Sequence, residues 1–430
     1  MKKAMKKERL AVDGGKPVRK KIWKDNFTTG MEEQKAAIRA IKSGYLSLFE
    51  GSHTPDAPFS FWGGPEVRSL EEAWCKYYGC AHAVSVNSAT SGLYAAVGAL
   101  GLGYGDEVIV SPYTMSACAM APMIYGAIPV FADVELETGC LDAKSVEKLI
   151  TPRTRGIIVI HQFGFPADMD AIMRIAVKYK LKVIEDCAQA HGAKYKSKYV
   201  GTFGDIGVFS LNVNKTIQTG EGGICVTDDK ELQYRLALIR NHGEAVVGKA
   251  GYENIVNIAG FNYRLTEVQA AMAKEQLKKL DRLNRARLDL VGQLLKGIGD
   301  LDFLLPLKER HGAVGTYYVL PLRFLGSRAG CRREDFVKAM AAEGIVFAQG
   351  YVAPLYLQPV YQKRSLFRHG YPFSAPANKG CRMSYAAGIC PHVEWLHFHE
   401  MLVNEYVRPP QTREDIKDII NAAHKWELNK

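Results

Sequence analysis

The chain has 430 residues, 47% hydrophobic and 23% charged, with a formal net charge of +11. That length exceeds one small core and suits two domains. With no run of about eighteen apolar residues, a membrane span is not expected. The charge would suit nucleic acid, an anionic membrane or anionic small molecules. However, the basic residues are spread along the chain apart from Lys2–Arg9 and Arg19–Lys24, and no nucleic-acid-recognition motif accompanies them. Most read as solvated surface, and an anionic cofactor and substrate account for the sign.

The basic N-terminus lacks an apolar stretch and does not read as a secretory signal. The nine cysteines are scattered with no C-x-x-C pair, which suits reduced thiols in a cytosolic protein.

Residues 1–30 read as an extended arm, because Gly14, Gly15 and Pro17 break any helix. A helical pattern follows over Glu32–Ile41, and Val67, Leu70, Trp74 and Tyr77 recur at helical spacing. The chain then alternates. Strands are expected at Ala83–Val86, Glu107–Val110, Ile128–Phe131, Gly156–Ile160 and Val183–Ile184, with helices at Ser91–Leu100, Ala117–Tyr125 and Met169–Lys178. This alternation predicts an α/β fold whose mostly parallel sheet is covered by helices. Further strands are expected at Ile206–Leu211 and Ile224–Thr227.

A long amphipathic stretch, Leu265–Leu295, then links to a smaller C-terminal α+β domain. That domain carries a strand pattern at Tyr317–Phe324, helical patterns at Glu334–Ala342 and Ile345–Ala348, and a final helix at Glu414–Trp426. The expected division is an arm at 1–30, a large domain at 31–270 and a small domain with the linking helix at 271–430.

The segment from Asp186 to Gly223 carries the most chemistry. Asp186 ends an apolar strand, where open α/β sheets bind ligands. A carboxylate there can keep a pyridine nitrogen protonated, although a helix cap would need the same residue. Lys215 is the only lysine between Phe203 and Asp229 and sits in a polar bend between two apolar strands. Its amine could form a Schiff base with an aldehyde cofactor, then carry a proton. Asn87–Gly92 lies between a strand and a helix, where free amides and hydroxyls bind phosphate. Capping by Ser88 or Thr90 is compatible with that role. Ser210, five residues before Lys215, could add a hydroxyl. Gly101, Gly103 and Gly105 follow a helix, so they form a turn and not a dinucleotide fingerprint. The GEGG of Gly220–Gly223 allows positive φ and close backbone approach. These groups suit pyridoxal 5'-phosphate (PLP), whose electron sink the protein must hold and tune.

The motifs FWGGPEVRSLEEAWCKYYG (Phe61–Gly79), VNSATSGL (Val86–Leu93), GDEVIVSPYT (Gly105–Thr114), GAIPVFADV (Gly126–Val134), HQFGFPADMD (His161–Asp170), EDCAQAHG (Glu185–Gly192), NKTIQTGEGG (Asn214–Gly223) and GFNYRLTEVQAA (Gly260–Ala271) occur in order. Together they resemble the DegT/DnrJ/EryC1/StrS family of sugar aminotransferases, PLP enzymes of fold type I. The resemblance spans nearly the whole chain. It implies that Lys215 forms the Schiff base, Asp186 pairs with the ring nitrogen and Gln189 lies near the ring 3-hydroxyl. Ala89, Thr90 and Ser210 would hold the phosphate. Asn262, with Arg264 beside it, would reach a phosphate in the neighbouring subunit of a homodimer.

Met115 stands where the family often has an aromatic ring, and its sulfur could pack on the cofactor face. Dehydratases of the family replace the lysine with histidine, so Lys215 favours transamination. The implied partners are a glutamate or glutamine donor and a nucleotide-linked keto-deoxy sugar acceptor. An inosose-type aminocyclitol acceptor is the alternative, and a PLP-dependent dehydratase or a non-catalytic PLP-binding regulator are the rivals. The acceptor pocket is expected within Lys42–Gly64 and Tyr351–Arg382.

Overall fold

A computed structural model describes residues 7–51 and 58–430. Residues 2–6 of the basic cluster and 52–57 of the expected acceptor pocket lie outside the described residues.

In chain order the strands are β1 (His82–Val86), β2 (Glu107–Val110), β3 (Ile128–Phe131), β4 (Thr154–Ile160), β5 (Lys182–Asp186), β6 (Lys194–Tyr195), β7 (Lys198–Tyr199), β8 (Ile206–Ser210), β9 (Gly223–Thr227), β10 (Leu304–Pro306), β11 (Ala313–Val314), β12 (Leu320–Phe324), β13 (Ala348–Gln349) and β14 (Met401–Asn404). Seven of them make one sheet in the order β1-β9-β8-β5-β4-β2-β3. Only β9 runs against its neighbours. Nearly every position on these strands is buried. Burial of successive residues means that both faces are covered, as parallel sheets require.

Small residues set the helix packing. Helix Ala89–Ala99 lies against β8 and β9, where a Cβ at Gly92 would come within 2.8 Å of Val208. Helix Glu267–Ile298 begins at a capping box formed by Thr266 and Gln269. It packs on helices Met31–Lys42, Pro65–Tyr78 and Arg413–Glu427, and Ala36, Ala40 and Ala271 line one of these contacts. The expected domain division at 270/271 falls inside this helix.

The second sheet, β10-β12-β14-β13, is wholly antiparallel. Phe303, Phe324, Phe336 and Trp426 pack as an aromatic cluster beside it. The strand expected from Tyr317 starts only at Leu320. Tyr317 has a positive φ of 49°, so the chain turns there instead of extending.

The N-terminal arm is fastened to this part of the molecule. Arg19 bonds Asp415 (2.9 Å) and Asp418 (2.8 Å), while Glu343 accepts from the amides of Ala11 and Val18.

Candidate active site

Because β1, β5 and β8 run the same way, Val86, Asp186 and Ser210 all end at one edge of the sheet. Asp186 pairs with Val208 across that edge and is buried. Its Oδ1 accepts from the Ala188 amide (2.9 Å) and its Oδ2 from the Cys118 thiol (2.9 Å). Burial and the neighbouring Asp186 charge push the Cys118 thiol far above its usual pKa, so Cys118 is a donor here. The apolar run around Cys118 gave no sign of this partnership.

The corner at the start of helix Ala89–Ala99 is built from backbone. Ser88 caps helix Ala89–Ala99 by accepting from Ser91 N. The next amides, of Ala89 and Thr90, have no partner within the helix and face outward with the positive end of its dipole. Ser210 pairs with Gly223 on β9. A Cβ on Gly223 would lie 2.7 Å from the Ser88 carbonyl carbon and 2.8 Å from Ala89 N. Only glycine lets β9 approach the helix start this closely, which brings Ser210 and the Ala89 amide to one corner.

Gln189 is buried and its Oε1 accepts from Phe163 N (2.8 Å). That bond orients the side-chain amide and leaves Nε2 uncommitted. Phe163 itself has a positive φ of 57°, and its carbonyl accepts from Tyr318 N (2.8 Å). The Gln189 position is thus tied to the segment leading into β12.

Lys215 lies in the loop joining β8 to β9. Asn26 of the N-terminal arm holds this loop by donating to Val213 O (3.2 Å) and Lys215 O (2.9 Å). Lys215 Nζ sits 4.2 Å from the centre of the Tyr318 ring, a cation–π distance. Tyr318 and Asn26 were not legible as site residues, because both come from distant segments with no motif of their own.

Two buried histidines stand close by. His161 Nδ1 accepts from Ala167 N, and its Nε2 faces Glu185 Oε2 at 3.0 Å. Glu185 also accepts from the amides of Gly201, Phe203 and Gly204. Despite burial, His161 and these amides hold the Glu185 pKa below its usual value. His161, Glu185 and Cys187 lie within 4.8 Å of one another, but both Glu185 oxygens are fully engaged, so the group braces the strand end. His191 is buried with no partner at Nε2. Burial, with Lys215 as the next cause, pushes its pKa down to about 3.

Met115 is 57% exposed. Asn262 is exposed too; its side chain accepts from Arg264 Nε (2.8 Å), and its carbonyl lies 3.3 Å from Asn87 Nδ2. The edge therefore offers a buried carboxylate, an uncommitted amide, free helix-start amides beside a hydroxyl, and an amine. This donor set fits the ring nitrogen, 3-hydroxyl, phosphate and aldehyde of PLP.

Residues 59–405 match the profile of the DegT/DnrJ/EryC1/StrS aminotransferase family. The chain is 31% identical over 400 residues to the spore coat polysaccharide biosynthesis protein SpsC of Bacillus subtilis, covering 92% of this chain and 94% of that one. Among solved structures, S. venezuelae DesV in complex with a ketimine intermediate superposes with a TM-score of 0.77 at 30% identity, covering 93% of this chain and 95% of DesV. DesI, determined in the presence of its TDP-sugar product, gives a TM-score of 0.78 at 25% identity over 96% of this chain and 95% of DesI.

Proposed function

Because the chain belongs to the DegT/DnrJ/EryC1/StrS family of PLP-dependent sugar aminotransferases, which have fold type I, we propose that it moves an amino group from glutamate or glutamine to the ketone of a nucleotide-linked keto-deoxy sugar. The observation that carries this reading is the placement of Lys215 on the loop that leaves the sheet edge holding Asp186, Ser210 and the Ala89–Thr90 amides.

PLP supplies the aldehyde carbon and the electron sink for the transfer. The chain's residues position and tune it. The Ala89 and Thr90 amides, with the Ser210 hydroxyl, take the phosphate. Asp186 would keep the ring nitrogen protonated, because a carboxylate at the nitrogen favours its charged form. Gln189 Nε2 would be available to the 3-hydroxyl, and Met115 would pack on the ring. The Lys215 amine anchors the cofactor at rest. A free Lys215 Nζ would be the group placed to move a proton at the substrate carbon. The Tyr318 ring confines that amine and shields it from water.

The nucleotide-linked acceptor is supported by the TDP-sugar of DesI and by the net charge of +11. A homodimer is supported by helix Met31–Lys42. Its Ala36 and Ala40 face the core while Met31, Ile38 and Ile41 stand exposed on the other side. An outward apolar face of this kind marks an interaction surface.

Incubation with L-glutamate and a panel of 4-keto-6-deoxy nucleotide sugars and inososes tests the reaction. Formation of 2-oxoglutarate together with an aminated nucleotide sugar is expected, and Lys215→Ala should abolish both turnover and the cofactor's visible absorption band. Amination of inososes alone would overturn the nucleotide-sugar acceptor, and water loss without amination would overturn transamination itself.

A further inference from the structure

Between Glu343 and Glu394 the chain has no carboxylate side chain, yet Lys363, Arg364, Arg368, Lys379 and Arg382 all fall there. All five are exposed, and among the described residues none forms an ion pair. Their side chains make a single hydrogen bond, from Arg364 Nη2 to Met383 O (2.8 Å).

The stretch carrying them lies over the edge strand β3, where the Tyr361 and Tyr385 rings pack on Phe131 at 5.1 and 5.8 Å. It then runs along the starts of the parallel strands. Asn378 bonds Gly105 N (2.6 Å) and Gly126 O (2.8 Å), and Arg153 donates to Ala377 O (3.2 Å) and Lys379 O (2.9 Å). The Arg382 amide donates to the Glu107 carboxylate. Gly105, Gly126 and Arg153 precede β2, β3 and β4, and Glu107 opens β2. These strands run parallel to β5, which ends at Asp186.

A compact turn carries the patch outward. Leu366 N and Phe367 N both donate to Tyr371 O, and Ser374 Oγ donates to His369 O. The Tyr371 ring meets the Tyr104 ring edge-on at 6.4 Å, which fixes the turn beside the start of β2. Phe367 stands at the tip, 47% exposed. The cations therefore occupy the edge of the sheet opposite Asp186, and this end of the Tyr351–Arg382 range does not face the lysine loop.

Unpaired cations without carboxylates select an anionic partner, and the exposed ring says which. Single-stranded nucleic acid is held by several ring faces that stack on successive bases. Here one ring stands alone at a turn tip, and the two tyrosines pack edge-on against each other. An isolated ring flanked by cations suits a bilayer interface, where it enters the headgroup region while Lys and Arg meet anionic lipid.

We propose that this face docks on an anionic lipid bilayer through Phe367 and the surrounding cations. Binding would be peripheral and reversible. It would leave the opposite edge, with Asp186 and Lys215, facing the aqueous phase. The proposal does not depend on the transamination reading.

Flotation of the full chain with vesicles tests it. The parent should float with vesicles of phosphatidylcholine mixed with phosphatidylglycerol but not with phosphatidylcholine alone, and should detach as salt screens the charges. Each cation near such a surface contributes about fivefold in binding, so Arg368→Ala with Arg382→Ala should lower the partition roughly 25-fold. Lys296→Ala with Lys417→Ala removes the same charge from helices Glu267–Ile298 and Arg413–Glu427. That pair should stay within about twofold of the parent, because charges that do not reach the lipid are screened. Phe367→Ser should weaken binding about tenfold, the scale of burying one such ring. A parent that ignores anionic vesicles overturns the proposal, as does one that binds single-stranded RNA in their place. Equal losses in the two double variants would reduce the effect to net charge and overturn the site. A Phe367→Ser protein with unchanged binding would overturn the entry of the ring.

Discussion

At the scale of single residues, the unpartnered groups are the informative ones. Asp186 has both oxygens occupied by donors from the chain, Cys118 and Ala188, so its carboxylate is fixed before any ligand arrives. His191 is the opposite case, buried and without a bond at Nε2. Its pKa, pushed down to about 3, makes it neutral in the folded protein at any mild pH. The unfolded chain binds a proton there below about 6.5, so the folded state loses stability as pH falls through that value, until the native pKa is reached. Between pH 7 and pH 5 this one group should cost roughly 2 kcal/mol. Unfolding of His191→Asn at the two pH values should show a slope shallower by that amount, and an unchanged slope would reject this account of His191.

The sequence made Asp186 and Lys215 visible because each sits in a recognisable strand–loop context. Cys118 and Tyr318 were hidden because their significance depends on a partner 68 or more positions away, as with Cys118 and Asp186.

At the scale of elements, the alternating pattern gave most strands and helices to within a few residues, since each buried strand reads as a short apolar run. Among the elements that escaped were helix Lys230–Arg240 and β14, Met401–Asn404, whose four buried residues directly follow the helical segments Pro391–Trp395 and Leu396–Glu400. Tyr317 failed as a strand start for a tertiary reason. Its carbonyl is held by Arg287, and its neighbours Thr316 and Tyr318 donate to the carbonyls of Gly164 and Phe163.

The N-terminal arm read only as extended chain, yet the structure makes it part of two sites. Arg19 is buried against Asp415 and Asp418 and stacks over Trp23 at 3.7 Å. Asn26 farther along grips the Lys215 loop. Although burial works against it, bonds from Lys21, Thr412 and Arg19 hold the Asp415 pKa well below the usual carboxylate range. The attachment is therefore at full strength above about pH 4 and is lost only in stronger acid. Arg19→Ala leaves a buried carboxylate short of its partner and should cost about 3 kcal/mol in denaturant unfolding. Limited proteolysis should then cut within the arm first. A variant as stable and as protease-resistant as the parent would mean that the arm is held by other contacts.

At the scale of the whole molecule, the large sheet presents the proposed cofactor groups, and the segments flanking β12 and β14 bring Tyr318 and Arg408 against the Lys215 loop. Among the described residues no helix is long and apolar enough to cross a membrane. The exposed side of helix Met31–Lys42 continues into Tyr45 and Leu46, also exposed. If this face covers a second copy, sedimentation should give a particle of twice 47.6 kDa. Charged replacements at Ile38 and Ile41 should then dissociate it, and a monomeric parent would remove the dimer.

By itself the sequence determined the class of fold and the family and pointed to the lysine, carboxylate and helix-start residues, because these depend on local periodicity and on motifs that are contiguous in the chain. The tertiary structure alone decided what surrounds them. It set the Cys118 thiol on Asp186, the Tyr318 ring under Lys215 and Arg408 beside the same loop. Such contacts join segments far apart in sequence, and burial converts an ordinary cysteine or arginine into a group whose missing or chosen partner carries energetic weight.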